Sequence, residues 1–187
     1  MKKVNYFLSA IVCLAVVTMT SCSDDHDEAA HTHEQEVFTT MTITLVPSDG
    51  SSNITLQTED LDGDGPNPPA ITVSGKLKAS NTYTGSIKWY NKTETPMEEL
   101  TPEIVEEKDE HQIFYTIGSG LTMTVSDLSK DSKGDDFGHT FSIKSLSASS
   151  GKLTVTLIHE PTKPNGGNLS TAGGATDIAA TFDVVIE

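Results

Sequence analysis

Histidine and carboxylate are the side chains in this sequence most able to do chemistry, and they are grouped. His26, His31 and His33 lie in a run that also holds Asp24, Asp25, Asp27, Glu28, Glu34 and Glu36. Imidazole nitrogen beside carboxylate oxygen suits Zn²⁺, Cu²⁺ or Ni²⁺. The spacing matches no preorganised structural zinc site, which fixes four ligands. The expected chemistry is therefore modest-affinity capture of zinc or another divalent transition metal by His31 and His33, with His26 and nearby carboxylates assisting. A solvated spacer whose histidines bind nothing is the alternative.

A second group is Asp60-Leu61-Asp62-Gly63-Asp64-Gly65. Three alternate carboxylates followed by glycine match the first half of a calcium loop. The twelfth position is Ile71 instead of Glu, and Pro66, Pro68 and Pro69 forbid a following helix. An EF-hand is excluded. A smaller Ca²⁺ loop through Asp60, Asp62 and Asp64, completed by backbone carbonyls, and a rigid acidic turn both remain open.

The other histidines sit in apolar surroundings. His139 shares the parity of Phe137 and Phe141, His159 that of Leu157, and His111 follows a helical segment. The expected state is a neutral, hydrogen-bonded histidine near a sheet end; a ligand pair is the sharper alternative. Tyr90 falls on a polar face, where it could stack on a sugar, whereas Trp89 belongs to the core. The sequence has no Gly-x-Ser-x-Gly elbow, no His-Glu-x-x-His and no phosphate-cradling glycine loop. A non-enzymatic protein is expected.

Cys22 carries a different chemistry. Lys2 and Lys3 precede an apolar run from Tyr6 to Met19, which ends in Thr20-Ser21-Cys22. The run is short of the roughly 20 residues a spanning helix needs and fits the apolar region of a signal peptide, residues 1–21. A small residue before cysteine is the lipobox pattern, with Met19 where Leu is commoner. Acylated Cys22 would carry several acyl chains, each buried CH₂ adding about 0.8 kcal/mol of membrane affinity. The acid-rich segment Ser23 to Glu28 is similar to the export tag that takes many Bacteroidota lipoproteins to the outer face of the outer membrane. A lipid-anchored, surface-displayed protein is expected.

Composition narrows the partners. The second cysteine, Cys13, lies within the leader, so the mature chain would hold neither disulfide nor thiol nucleophile. Arginine is absent, and loss of Lys2 and Lys3 takes the formal charge from −15 to −17. Nucleic acid, which needs a basic face, is excluded as a partner; cations and cationic partners are favoured.

The elements that must position these groups are strands. Residues 22–36 have too little apolar content to order themselves and read as a tether. From Val37 the pattern turns to period two. Val37, Met41, Ile43 and Leu45 alternate with threonines, and the alternation recurs at 54–56, 71–77, 83–89, 113–117, 121–125, 137–143, 153–157 and 178–186. Thr101 to Asp109 reads as one short helix, with Thr101 as N-cap and Pro102 in the first turn. About nine short strands between Gly/Asp/Pro turns predict an all-β domain over residues 37–187. The expected fold is an Ig-like antiparallel β-sandwich, with a closed barrel as alternative.

Four segments carry a resemblance: Thr40 to Leu45, Asp60 to Gly65, Asn81 to Ile87 and Glu106 to Tyr115. Together they resemble a family of small Bacteroidota lipoproteins labelled "type 1 periplasmic binding fold superfamily". Proteins of that binding fold are long two-domain α/β chains, so the label does not describe these strands. The resemblance implies a surface lipoprotein beside a TonB-dependent receptor and brings no catalytic residues. The function expected is accessory ligand capture, of a transition metal first. The alternative is a glycan- or protein-binding sandwich with the tether only a spacer.

Overall fold

The chain divides into two units, Met1–His33 and Glu34–Glu187. The computed structural model describes residues 36–63 and 65–187, all in the second unit. Cys22, His26, His31, His33 and Asp64 lie outside the described residues. Among the described residues, no helix is long and apolar enough to cross a membrane.

Among the described residues, ten strands form two antiparallel sheets, as an all-β sandwich. The strands are β1 (Thr40–Pro47), β2 (Ile54–Glu59), β3 (Ala70–Val73), β4 (Thr82–Asn91), β5 (Glu98–Glu99), β6 (His111–Ile117), β7 (Met123–Ser126), β8 (Thr140–Ser145), β9 (Ser149–His159) and β10 (Ala175–Ile186). The larger sheet runs β3-β2-β1-β4-β8-β7, with β5 also on β4; the smaller runs β10-β9-β6. Period-two burial builds the core between them. Met41, Ile43, Leu45, Leu56, Tyr83, Ile87 and Trp89 from one sheet face Ile113, Leu153, Val155, Leu157, Phe182 and Val184 from the other. Each such side chain withdrawn from water contributes roughly 1.5–3 kcal/mol.

Each predicted strand is present, some with different limits. Val37 is 53% exposed and precedes β1. Leu77 lies beyond β3 and reaches the core through a parallel bridge to Ile186. The 137–143 run starts as a strand only at Thr140, because Gly138 takes a φ of 88° and turns the chain. The two-residue β5 is too short to show a period. The helix α1 is shorter than the pattern suggests, Thr101–Glu106, and Leu100 is its N-cap. Thr101 is instead buried, and its hydroxyl accepts the N–H of Trp89 at 3.0 Å. A second helix, α2 (Leu169–Ala172), opens with Asn168 capping the N–H of Ser170. Its Ala172 covers Phe114 and Ile158 on the outer face of the small sheet.

Candidate functional site

One end of the sandwich collects the start of β6, the end of β9, the start of β10 and the turn after α1. Antiparallel register sets His111 directly across from His159. Both continue the inward parity of their strands, so their rings stack, with centroids 4.7 Å apart and planes 10° from parallel. His111 is 1% exposed. On β10 a register shift between Thr176 and Ile178 leaves Asp177 as an extra residue. Bulges of this kind re-aim a side chain, and Asp177 Oδ2 lies 3.7 Å from His111 Nε2. Glu110 Oε2 lies 3.9 Å from His159 Nε2. Glu160, held at φ 53°, joins them: donor atoms of Glu110, His159 and Glu160 all fall within 4.8 Å of one another.

The protonation states follow from burial. Desolvation holds the His111 imidazole down to about 4, against the upward pull of its bond to Glu107, so the ring is neutral at neutral pH. His111 Nδ1 sits 3.1 Å from the Glu107 carbonyl, which can only accept. The proton is therefore on Nδ1 and the lone pair on Nε2. Burial raises the Asp177 carboxyl to about 6, with His159 pulling it back. Burial, then repulsion from Glu103, Glu107, Asp177 and Glu98, raises Glu36 to about 7. Above about pH 6 the close approach of His111 and Asp177 is thus no ion pair; a carboxylate faces a neutral nitrogen's lone pair.

A buried clasp fixes the turn behind these groups. Lys163 Nζ donates to the carbonyls of Lys108 (2.9 Å) and His111 (2.7 Å) and to Asp131 Oδ2 (3.1 Å). Asp131 Oδ1 accepts from the N–H of Lys133 and Asp135. Gly174 closes the other side, since a Cβ there would stand 2.3 Å from the His159 carbonyl oxygen.

The remaining predicted residues fall elsewhere. Asp60 Oδ1 accepts from the N–H of Gly63 at 2.9 Å, and Asp62 Oδ2 from Asn67 Nδ2 at 2.7 Å, so both carboxylates organise their own turn. His139 is a ladder residue. β4 pairs with β8 up to Ser86 and with β5 from Tyr90. In the gap His139 Nε2 donates to the Ile87 carbonyl at 2.9 Å, with its ring beside Trp89 and Phe137. Desolvation lowers its pKa. Tyr90 is half-buried on β4. Glu36, Glu110, Glu160 and Asp177 were not singled out as folded-domain site residues by sequence. The adjacency of Glu110 to His111 and Glu160 to His159 was the available signal; nothing local marks Asp177.

Compared with family models, curated proteins and solved structures, the chain finds no match.

Proposed function

We propose that this chain is a non-enzymatic lipoprotein, held by acylated Cys22 on the surface of an outer membrane. It acts as an accessory to a TonB-dependent receptor and captures a cationic ligand for it. The observation that carries this reading is the end of the sandwich where His111 and His159 stack among Asp177, Glu36, Glu110 and Glu160. Imidazole and carboxylate attract cations and can ligate them, and all of these groups but Glu36 stand on strands or hydrogen-bonded turns. The mature formal charge of −17 adds a long-range attraction of the same sign. The lipobox supports the anchor, and the four-segment resemblance supports the receptor.

The test is cellular. Cells carrying the native protein, a deletion, or Cys22→Ala are starved of divalent metals, and metal accumulation is then measured on resupply. Deletion should lower accumulation, and Cys22→Ala should reproduce the deletion while releasing the protein or leaving the precursor uncut. Accumulation unchanged by deletion would sink the capture role.

A further inference from the structure

Resting on the capture role proposed above, we infer that the folded domain holds one first-row divalent transition metal, with His111 Nε2 and Asp177 as inner ligands and His159 and Glu110 closing from the rim. This site is separate from the tether histidines and from the Asp60 turn.

The geometry of His111 is that of a metal ligand held by its second shell. Ligating histidines donate their other ring N–H to a carbonyl or carboxylate, which fixes the tautomer and aims the lone pair. His111 does this through Nδ1 and Glu107. Its Nε2 then meets Asp177 Oδ2 across 3.7 Å, beyond a hydrogen bond. Both atoms are acceptors, and Oδ2 is buried with no donor of its own. Buried acceptors are nearly always satisfied, so two facing each other call for something positive between them. Lys163, the ammonium tied to this turn, cannot supply it. All three of its donors go to Lys108, His111 and Asp131 on the backbone side.

The span fits a metal. Zinc–ligand bonds of about 2.0–2.1 Å at a tetrahedral angle separate two ligand atoms by about 3.3–3.4 Å, so closure by a few tenths of an ångström suffices. The donor set selects the class. Two imidazoles with carboxylates suit Zn²⁺, Co²⁺ or Ni²⁺, whereas Ca²⁺ seeks six to eight oxygens. The stacked rings add a consequence. A metal lies in the plane of each imidazole that binds it, and two nearly parallel planes share no such point. His159, the more exposed of the two, must turn about its broad terminal torsion to join. Metal binding therefore unstacks the pair.

The experiment uses the full-length chain in detergent, titrated with Zn²⁺ and separately with Ca²⁺ by calorimetry, and with Co²⁺ by visible absorption. It is repeated on Asp177→Asn, His159→Gln and a variant with His26, His31 and His33 all changed to Ala. Asn keeps the shape of Asp177 and removes a carboxylate whose buried Oδ2 accepts no hydrogen bond, so Asp177→Asn should fold, and urea midpoints check each variant. We expect one high-affinity ion per folded domain and a tetrahedral Co²⁺ spectrum, both kept in the tether variant. Asp177→Asn and His159→Gln should each weaken binding by about 100-fold, since loss of an outer-shell partner alone costs 10–100-fold. Native affinity in folded Asp177→Asn would overturn the site, as would loss of the high-affinity ion in the tether variant. Calcium bound in place of zinc would overturn the transition-metal assignment and leave the capture role standing. Binding of neither ion would overturn both.

Discussion

Replacing Lys163 with Met removes one ammonium while keeping most of the side chain's length. Lys163 is 7% exposed and its partner Asp131 fully buried at the side chain. The substitution leaves Asp131 Oδ2 charged and bare, and strips a donor from the carbonyls of Lys108 and His111. Breaking a buried pair from one side costs about 3–5 kcal/mol. The two N–H groups on Asp131 Oδ1 soften this towards the lower figure. For a domain of this size the loss corresponds to a fall in melting temperature of about 10 °C. The pH dependence gives a second check. Burial would raise the Asp131 carboxyl, but Lys163 and the N–H groups of Asp135 and Lys133 outweigh it and hold it below the usual range. The pair's stabilisation is therefore full above the unfolded pKa of about 3.9 and is lost as pH falls through the lower folded value. The gap between native and Lys163→Met, read by urea denaturation at pH 7 and pH 3, should narrow in acid. Lys163→Met/Asp131→Asn should be more stable than Lys163→Met alone, because the bare charge has gone. A loss below about 1 kcal/mol, the level of an exposed pair, would refute the reasoning, as would additivity in the double variant.

Three further outcomes are expected. Glu36→Gln should leave stability near native at pH 4 and raise it by about 1–3 kcal/mol at pH 8: the raised carboxyl keeps its proton in the fold up to about pH 7, and the cost of ionising it grows between about pH 4.5 and 7. Equal differences at both pH values in urea titrations would count against it. His139→Phe strands the Ile87 carbonyl in the β4 ladder gap, and chemical denaturation should show a loss of about 1–3 kcal/mol. Gly174→Ala combines a φ of 74° with the clash against the His159 carbonyl. It should cost about 2 kcal/mol or more, and in NMR spectra it should shift His159 ring signals while leaving those of His139 in place.

Period-two alternation made the strands legible, because a half-buried strand writes its two faces into the sequence. It failed where the backbone leaves the pleat. Gly138 interrupts the 137–143 run, and the two residues of β5 carry no period. The helix cap shifted by one because the Thr101 hydroxyl is held by the β4 backbone, a tertiary bond that local pattern cannot show. In the site, parity correctly aimed His159 inward. The pairing of His111 with His159 depends on strand register across distant segments. Asp177 was hidden more deeply, since strict alternation aims it away from Ile178 and only the bulge turns it to His111.

The chain enters and leaves this fold at opposite ends. Glu36 stands among the α1 acids and Asp177, while Glu187 pairs with Leu77 at the far end of β10. At about 3.3 Å per strand residue, the two ends of that strand lie more than about 30 Å apart. Tension applied between the termini would run along the strands. It would load β1, which is hydrogen-bonded on one side to β2 from Thr40 to Leu45 and on the other to β4 from Thr40 to Pro47. Force along a strand bonded on both flanks shears many hydrogen bonds at once, where force across an edge strand would unzip them singly. A domain tugged by its N-terminal side while gripped at its C-terminus would therefore resist as a shear-loaded spring, with the acid and histidine groups at the end where the pull arrives.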